Sequence, residues 1–322
     1  MSSESEPVPP GKEWAAAQRR QNRGGRDGEP SGRGLSGAVG GTSEERVGVM
    51  QVDPSSGLDT SVVHPARRYN YWLDGKDNFA VDRDSGDEIA KIYPSVRTAA
   101  LHNRAFLRRA VTYLAGQRGV RQFLDIGTGL PTADNTHEVA QQIAPECRVV
   151  YVDNDPMVMT HARALLTSTP QGQTAYIEQD LRDPDGIVGD AAMSVLDFDE
   201  PVALMLVAVA HFVLDDEVLA WAVAALRDAM PVGSYLVLSH ATADPVDPVV
   251  RAAWDQAVAS GRHGDFKYRS KEQILPLLGD WRPVPPGLVP VADWRRPAVD
   301  PVPFTDAAAY GAVAVKPRPR AR

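Results

Sequence analysis

The chain has 322 residues, a formal net charge of −8 and one cysteine. That length accommodates a sizeable core, and the acidic balance argues against a general nucleic-acid surface, leaving room only for a local basic patch. Cys147 alone excludes an intramolecular disulfide and every multi-cysteine metal site. No apolar run reaches the ~20 residues that span a bilayer, and the N-terminus lacks the apolar stretch of a secretory signal, so a cytoplasmic protein is expected.

Residues 1–58 are rich in Gly, Ser, Pro, Glu and Arg. They cannot bury enough surface to offset their ordering entropy and read as a disordered tail, with Val47 to Met50 its one apolar patch. Composition changes near Ser61, and residues 59–118 read as an N-terminal helical cap. Its first part, His64 to Phe79, is too aromatic for a linker and too polar for a plain core helix. It reads either as a short helix and turn packed on the domain edge or as a lid, with Tyr69, Trp72, Asn78 and Phe79 facing an acceptor pocket. Helices are predicted over Asp84 to Ile92 and, beyond Pro94, over Ser95 to Ala115. The second carries Val96, Ala100, Leu107, Val111 and Leu114 at helical spacing. Asn103 falls on or beside that stripe, as a buried polar group with a local partner or as a pocket residue.

Residues 119–322 then alternate strands and helices. Gln122 to Ile126 is a short apolar run suited to a buried parallel strand, and Gly127-Thr128-Gly129 follows at once. Glycine there reaches backbone angles closed to other residues and lets a ligand approach the main chain. A helix is predicted from Thr132 to Ala144, then a strand, Arg148 to Val152, ending in Asp153. This is a glycine-turn βαβ unit with an acid at the tip of its second strand. The third glycine of a dinucleotide fingerprint is due near Thr132, where Leu130-Pro131-Thr132 stands instead, which disfavours pyrophosphate binding. Asp125 suits a ligand with a positive group, and Asp153 suits a ribose diol. The motif therefore points to a nucleoside cofactor and leans towards a sulfonium methyl donor.

Beyond it come a helix from Pro156 to Thr167, with His161 expected at the surface or boundary, and a strand from Thr174 to Glu178. An apolar strand from Val202 to Val209, a helix from Asp215 to Met230 and a strand from Tyr235 to Leu238 follow. Asp125, Asp153, Asp180, His211 and His240 each stand at or just past the carboxyl end of a strand. In open α/β sheets that is where ligands bind, so five in register predict one shared cleft. Val246 to Ser260 reads as an inserted helix, and Ser270 with Gln273 as a capping box. Two final strands, Gly287 to Val291 and Tyr310 to Val315, have no helix between them and predict a terminal antiparallel hairpin. The expected fold is a doubly wound, mostly parallel, seven-stranded Rossmann-like sheet.

The run Phe123-Leu124-Asp125-Ile126-Gly127-Thr128-Gly129-Leu130-Pro131-Thr132, followed by Val150-Tyr151-Val152-Asp153-Asn154-Asp155-Pro156, resembles a class I S-adenosylmethionine-dependent methyltransferase. Gly75-Lys76-Asp77-Asn78-Phe79, the stretch His102 to Arg109, Asp180-Leu181-Arg182-Asp183-Pro184 and Ser239-His240-Ala241-Thr242 narrow the likeness. They resemble an actinobacterial S-adenosyl methyltransferase family, long catalogued as a domain of unknown function. The resemblance runs from Ser61 to Pro317 and implies S-adenosyl-L-methionine as cofactor, bound by Asp125, Gly127, Thr128, Gly129, Asp153, Asn154, Asp180 and Leu181. Within that set it implies ribose binding by Asp153 and adenine binding by Asp180, with Leu181 packing on the ring. It supplies no acceptor.

Methyl transfer to a hydroxyl or a protonated amine also needs a base. His211, at the fourth strand end, is the leading candidate because histidine titrates near neutrality, and His240 is the second. No histidine–carboxylate cluster suggests a metal. The favoured function is methylation of a small molecule. The alternatives are a protein that binds the cofactor without transferring the methyl and, more remotely, a nicotinamide oxidoreductase.

Overall fold

The computed structural model describes residues 59–297 and 301–318; the predicted tail over residues 1–58, with its Val47 to Met50 patch, lies outside them. Among the described residues three helices precede the sheet: α1 (Pro65–Trp72), α2 (Ala80–Ile92) and α3 (Val96–Gln117). Then come β1 (Gln122–Ile126), α4 (Thr136–Ile143), β2 (Arg148–Asp153), α5 (Pro156–Leu165), β3 (Gln173–Glu178) and α6 (Pro184–Gly189). They are followed by β4 (Ala203–Val207), α7 (Asp216–Ala229), β5 (Tyr235–Ala241), α8 (Pro248–Ala259) and α9 (Lys271–Ile274). The chain ends with β6 (Arg282–Pro283), β7 (Val289–Pro290), α10 (Phe304–Ala307) and β8 (Ala309–Val315).

The strand order is β3-β2-β1-β4-β5-β8-β6, with β7 also on β8. Strands β1 to β5 run parallel, and β8 is antiparallel to β5, β6 and β7. Arg282 pairs with Val315 and Val289 with Gly311, so β6 and β7 lie along one edge of β8 as an interrupted strand. Eight strands thus occupy seven lateral positions. The terminal antiparallel pairing expected from sequence is present, but β8 is no simple hairpin partner, because it lies between β5 and that edge. Residues Tyr310 to Ala314 are buried and need cover on both sides, whereas Pro283 and Pro290 lack a ladder donor and belong at an edge.

Both sheet faces are dry. Leu124 and Ile126 of β1 pack with Leu219, Val223 and Leu226 of α7 on one face. Phe123 packs with Phe106, Ala110 and Leu114 of α3 on the other. A parallel strand buried on both faces needs a continuous apolar run, which β4 supplies, whereas β3 at the edge is only partly buried. Helix α3 therefore shares its core with the sheet, while α1 and α2 lie over the carboxyl ends of the strands.

Three local expectations change. Helix α4 begins at Thr136 rather than Thr132, because Asp134 takes a left-handed conformation (φ 62°) and Asn135 and Glu138 form the cap. Helix α2 begins at Ala80 rather than Asp84, since Asp82 Oδ2 accepts the Phe79 N–H at 3.0 Å and caps the earlier turn. His161, expected at the surface or its boundary, is buried on α5, with Asp77 Oδ2 3.8 Å from its Nδ1.

The loop after β7 is pinned to α3. Arg109 donates to the carbonyls of Trp294 (2.7 Å) and Val291 (2.6 Å), and the fully buried Trp294 ring meets Phe106 and Tyr113 edge-on. Trp294→Ala is expected to cost about 3–5 kcal/mol in urea denaturation, the range for an aromatic removed from a packed core. A loss under about 1 kcal/mol would contradict the packing described.

Candidate active site

The glycine turn follows from how β1 and β2 end. Gly127 N (2.8 Å) and Thr128 N (3.2 Å) donate to Val152 O, and Gly129 N donates to Asp153 Oδ2 at 2.8 Å. Both glycines have positive φ, 73° and 68°. A Cβ at Gly127 would lie 2.3 Å from Val209 Cγ2, whereas one at Gly129 would meet nothing within 4 Å and enter open space. The first glycine allows close packing; the second leaves room for a ligand. All three turn amides are taken, and the next helix starts only at Thr136 under its own cap. Neither the amides nor that helix N-terminus is free to cradle a pyrophosphate.

The turn opens on a cavity of about 400 Å³ outside the carboxyl ends of β1, β2 and β4. That volume is in the ~300–1,000 Å³ range of ligand pockets. Asp125, Gly127, Thr128, Gly129, Asp153, Asn154, Asp180 and Leu181 all line it. The β1–β4 neighbourhood is also where strand order reverses, the usual crevice in such sheets.

Two of these acids are held out of water. Asp125 is 5% exposed and accepts a hydrogen bond from Thr136 Oγ1 at 2.6 Å; burial raises its pKa from 3.8 to about 6. Asp153 is 6% exposed, accepts from Gly129 N and from Asp155 N at 3.0 Å, and is likewise raised by burial. Among the described residues neither carboxylate is within ion-pair distance of a cation, a costly state that a cationic ligand relieves. Asp180 differs. Arg182 grips both its oxygens (2.8 and 2.7 Å), Asn154 Nδ2 donates at 2.8 Å, and these bonds hold its pKa down to about 2.

A second, mostly apolar cavity of about 170 Å³ adjoins the first. Trp72, Tyr93, Trp254 and Phe266 supply aromatic walls, and Tyr69, Asn103, Ala208 and Phe212 line both spaces. A hydrogen-bond chain fixes that neck. Asn103 Nδ2 donates to Tyr69 Oη (3.2 Å), Ser239 Oγ to Asn103 Oδ1 (2.6 Å), and Ala208 N to Ser239 Oγ (2.9 Å). Asn103 thus combines both roles considered from sequence: it is a buried polar group with partners, and it lines a pocket.

His211 lines the second cavity, with Nδ1 accepting weakly from Ala241 N at 3.4 Å. Burial, reinforced by His240, Arg269 and Arg68, drives its pKa well below the usual value. His240, the second candidate base, has both ring nitrogens committed: Nδ1 donates to Ala241 O (2.7 Å) and Nε2 accepts from Arg269 (3.0 Å). It also lines the second cavity, is fully buried, and burial lowers its pKa to about 4.

The lid expectation divides. Tyr69 and Trp72 face the cavities, but Asn78 and Phe79 line neither. Asn78 Nδ2 donates to Asn70 Oδ1 (3.0 Å) and Gly75 O (2.9 Å), closing the turn between α1 and α2. Phe79 packs beside Leu130 and Met157, with the Arg67 guanidinium 5.4 Å from its ring. Sequence reasoning missed Phe212, Trp254 and Phe266. The available signal was three aromatics on or beside segments without another evident role: one past the fourth strand and two in the insert after the fifth.

Asp125 generates a pH prediction. Its folded pKa is raised above the unfolded value, so its stabilising contribution is full below pH ~4 and lost as pH rises through about 6. Asp125→Asn keeps an acceptor for Thr136 and is expected to stabilise the cofactor-free protein at pH 7.5, by at most roughly 3 kcal/mol. Little change is expected at pH 4. Equal shifts in Tm at the two pH values would contradict this assignment.

Similarity to known proteins agrees with the geometry. A family model described as S-adenosyl methyltransferase matches residues 51–317. The crystal structure of a DUF574 family protein from Streptomyces avermitilis is 42% identical, covering 80% of this chain and 99% of that one, with a TM-score of 0.77. A candidate methyltransferase from Thermobifida fusca is 39% identical, covering 83% of this chain and 100% of that one, with a TM-score of 0.75. No curated protein matches. With a family model covering most of its length, the chain belongs to the S-adenosyl methyltransferase family, and S-adenosyl-L-methionine is its cofactor.

Proposed function

We propose that the chain transfers a methyl group to a small, largely apolar acceptor held in the second cavity. The observation that carries this reading is the junction of the two cavities at Tyr69, Asn103, Ala208 and Phe212. Bound in the larger cavity, the cofactor supplies a methyl on a sulfonium, and in-line displacement joins it to an acceptor lone pair while the carbon–sulfur electron pair stays on sulfur.

The chain's own residues then bind and align. Asp125 receives the cationic amino-acid end, which offsets the burial of its carboxylate. Asp153 uses two acceptor sites on backbone amides and keeps others for a ribose diol. Leu181 offers an apolar wall for the adenine, whose amino group exchanges for Arg182 or Asn154 on Asp180. Dry walls and a fixed neck favour alignment and exclusion of water as main sources of rate.

His211 is the proposed titratable group facing the acceptor. It meets the acceptor as a neutral ring, and burial, reinforced by the nearby Arg269 and Arg68, makes it a weak proton acceptor. That favours an acceptor atom that is already unprotonated or ionises readily. A protein that merely senses the cofactor has no evident use for an aromatic chamber beside it, and the occupied turn amides disfavour a nicotinamide dinucleotide.

Calorimetric titration of S-adenosylmethionine, S-adenosylhomocysteine and NAD tests this reading. The first two are expected to bind, NAD is not, and Asp153→Ala is expected to weaken both by at least about tenfold, or 1.4 kcal/mol. Binding of NAD alone would overturn the assignment.

A further inference from the structure

We propose that the acceptor is an aromatic molecule anchored by an anionic oxygen, carboxylate or phenolate, on the buried guanidinium of Arg68. This deepens the function proposed above and rests on it. Three arginines are buried among the described residues: Arg67, Arg68 and Arg269. Arg269 is paired with Asp216 at 2.7 Å, and Arg67 Nε lies 3.8 Å from both Asp82 and Asp155. Among the described residues Arg68, 3% exposed, has no carboxylate partner. Its Nη1 donates to His263 O (2.5 Å) and Ser85 Oγ (3.2 Å), and none of those residues bonds its Nε. The acid that acts on it, Asp82, has its oxygens occupied by the amides of His64 (2.9 Å) and Phe79 (3.0 Å).

Of the three, only Arg68 lines the apolar cavity. Burial lowers its pKa to about 10, which leaves it charged at neutral pH. An unpaired buried cation is costly unless a counter-charge arrives, and a guanidinium offers forked donors that suit a carboxylate. The Trp72 ring stands 5.4 Å from its Cζ, so an aromatic ligand meets stacking surface beside the charge. A protonated amine in the same space faces Arg68 without any compensating acid. Arg68 does not line the cofactor cavity. The anion is therefore an anchor that orients the acceptor, and the atom receiving the methyl lies towards the neck.

The test titrates 2-naphthoate, 2-naphthol and the neutral isostere 2-naphthamide into protein saturated with S-adenosylhomocysteine, as wild type, Arg68→Lys and Arg68→Met. At least one of the two acids is expected to bind wild type about tenfold or more tightly than the amide. Arg68→Lys is expected to keep part of that preference and Arg68→Met to abolish it, with the Tm and S-adenosylhomocysteine affinity unchanged. Preference for naphthoate alone would identify a carboxylate anchor, and for naphthol alone a phenolate. Equal binding of all three by wild type, or a preference surviving in Arg68→Met, would overturn the proposal. A joint fall of Tm and S-adenosylhomocysteine affinity in Arg68→Met would also overturn it, making Arg68 a structural tie between α1 and His263. Failure of S-adenosylhomocysteine to bind wild type would sink the underlying reading instead, and this proposal with it.

Discussion

Two carboxylates kept dry at the ends of adjacent parallel strands set the terms for the rest of the site. The β1–β2 register pairs Asp125 with Tyr151 and Ile126 with Val152, which brings Asp125 and Asp153 to the same rim. Asp153 then clamps the glycine turn through Gly129 N, while Thr136 at the start of α4 reaches back to Asp125. The turn, its helix and the second strand are therefore organised around buried carboxylates that, among the described residues, have no cation inside ion-pair distance. A fold arranged this way opposes its own stability until a positively charged ligand arrives.

The second organising element is the hydrogen-bond chain Tyr69–Asn103–Ser239–Ala208. It ties a covering helix, a core helix and two strand ends into one wall between the cavities. Ala208 takes a positive φ of 58° just past β4, a conformation uncommon for a residue with a Cβ. The bend lets the backbone leave the sheet and present Phe212 at the neck. The neck between the two cavities is thus built from α1, α3, β4 and β5 together, and no single motif contains it.

The strands and the rim acids were legible in the sequence because each apolar run ends in a polar residue, and order along the chain places those ends together. Pro283 and Pro290 mark the edge position of β6 and β7, but the insertion of β8 beside β5 depends on pairing between distant segments. For Asn78 and Phe79 the aromatic, polar stretch fits a lid and an edge-packed helix and turn equally well, and sequence does not separate the two. Their turn role rests on Asn70, whose side chain accepts from Asp77 N and Asn78 Nδ2. The commitment of His240 is settled by Arg269, far along the chain, and the burial of His161 by packing of the loop after α1. Whether an arginine has a carboxylate partner, which separates Arg68 from Arg67 and Arg269, is a tertiary property that composition does not carry.

Proton release on binding tests most directly the proposal that buried Asp125 receives the cationic end of the cofactor. S-adenosylmethionine would be titrated at pH 6 and pH 8 in buffers of different ionisation enthalpy, into wild type and Asp125→Asn. With Asp125 near half-protonated at pH 6, a cation placed against it expels up to about half a proton per site. The release attributable to Asp125, wild type minus variant, is expected to be clear at pH 6 and to fall towards zero at pH 8. Tight binding with the same proton count in both proteins at pH 6 would contradict the claim and place the cofactor's charge elsewhere.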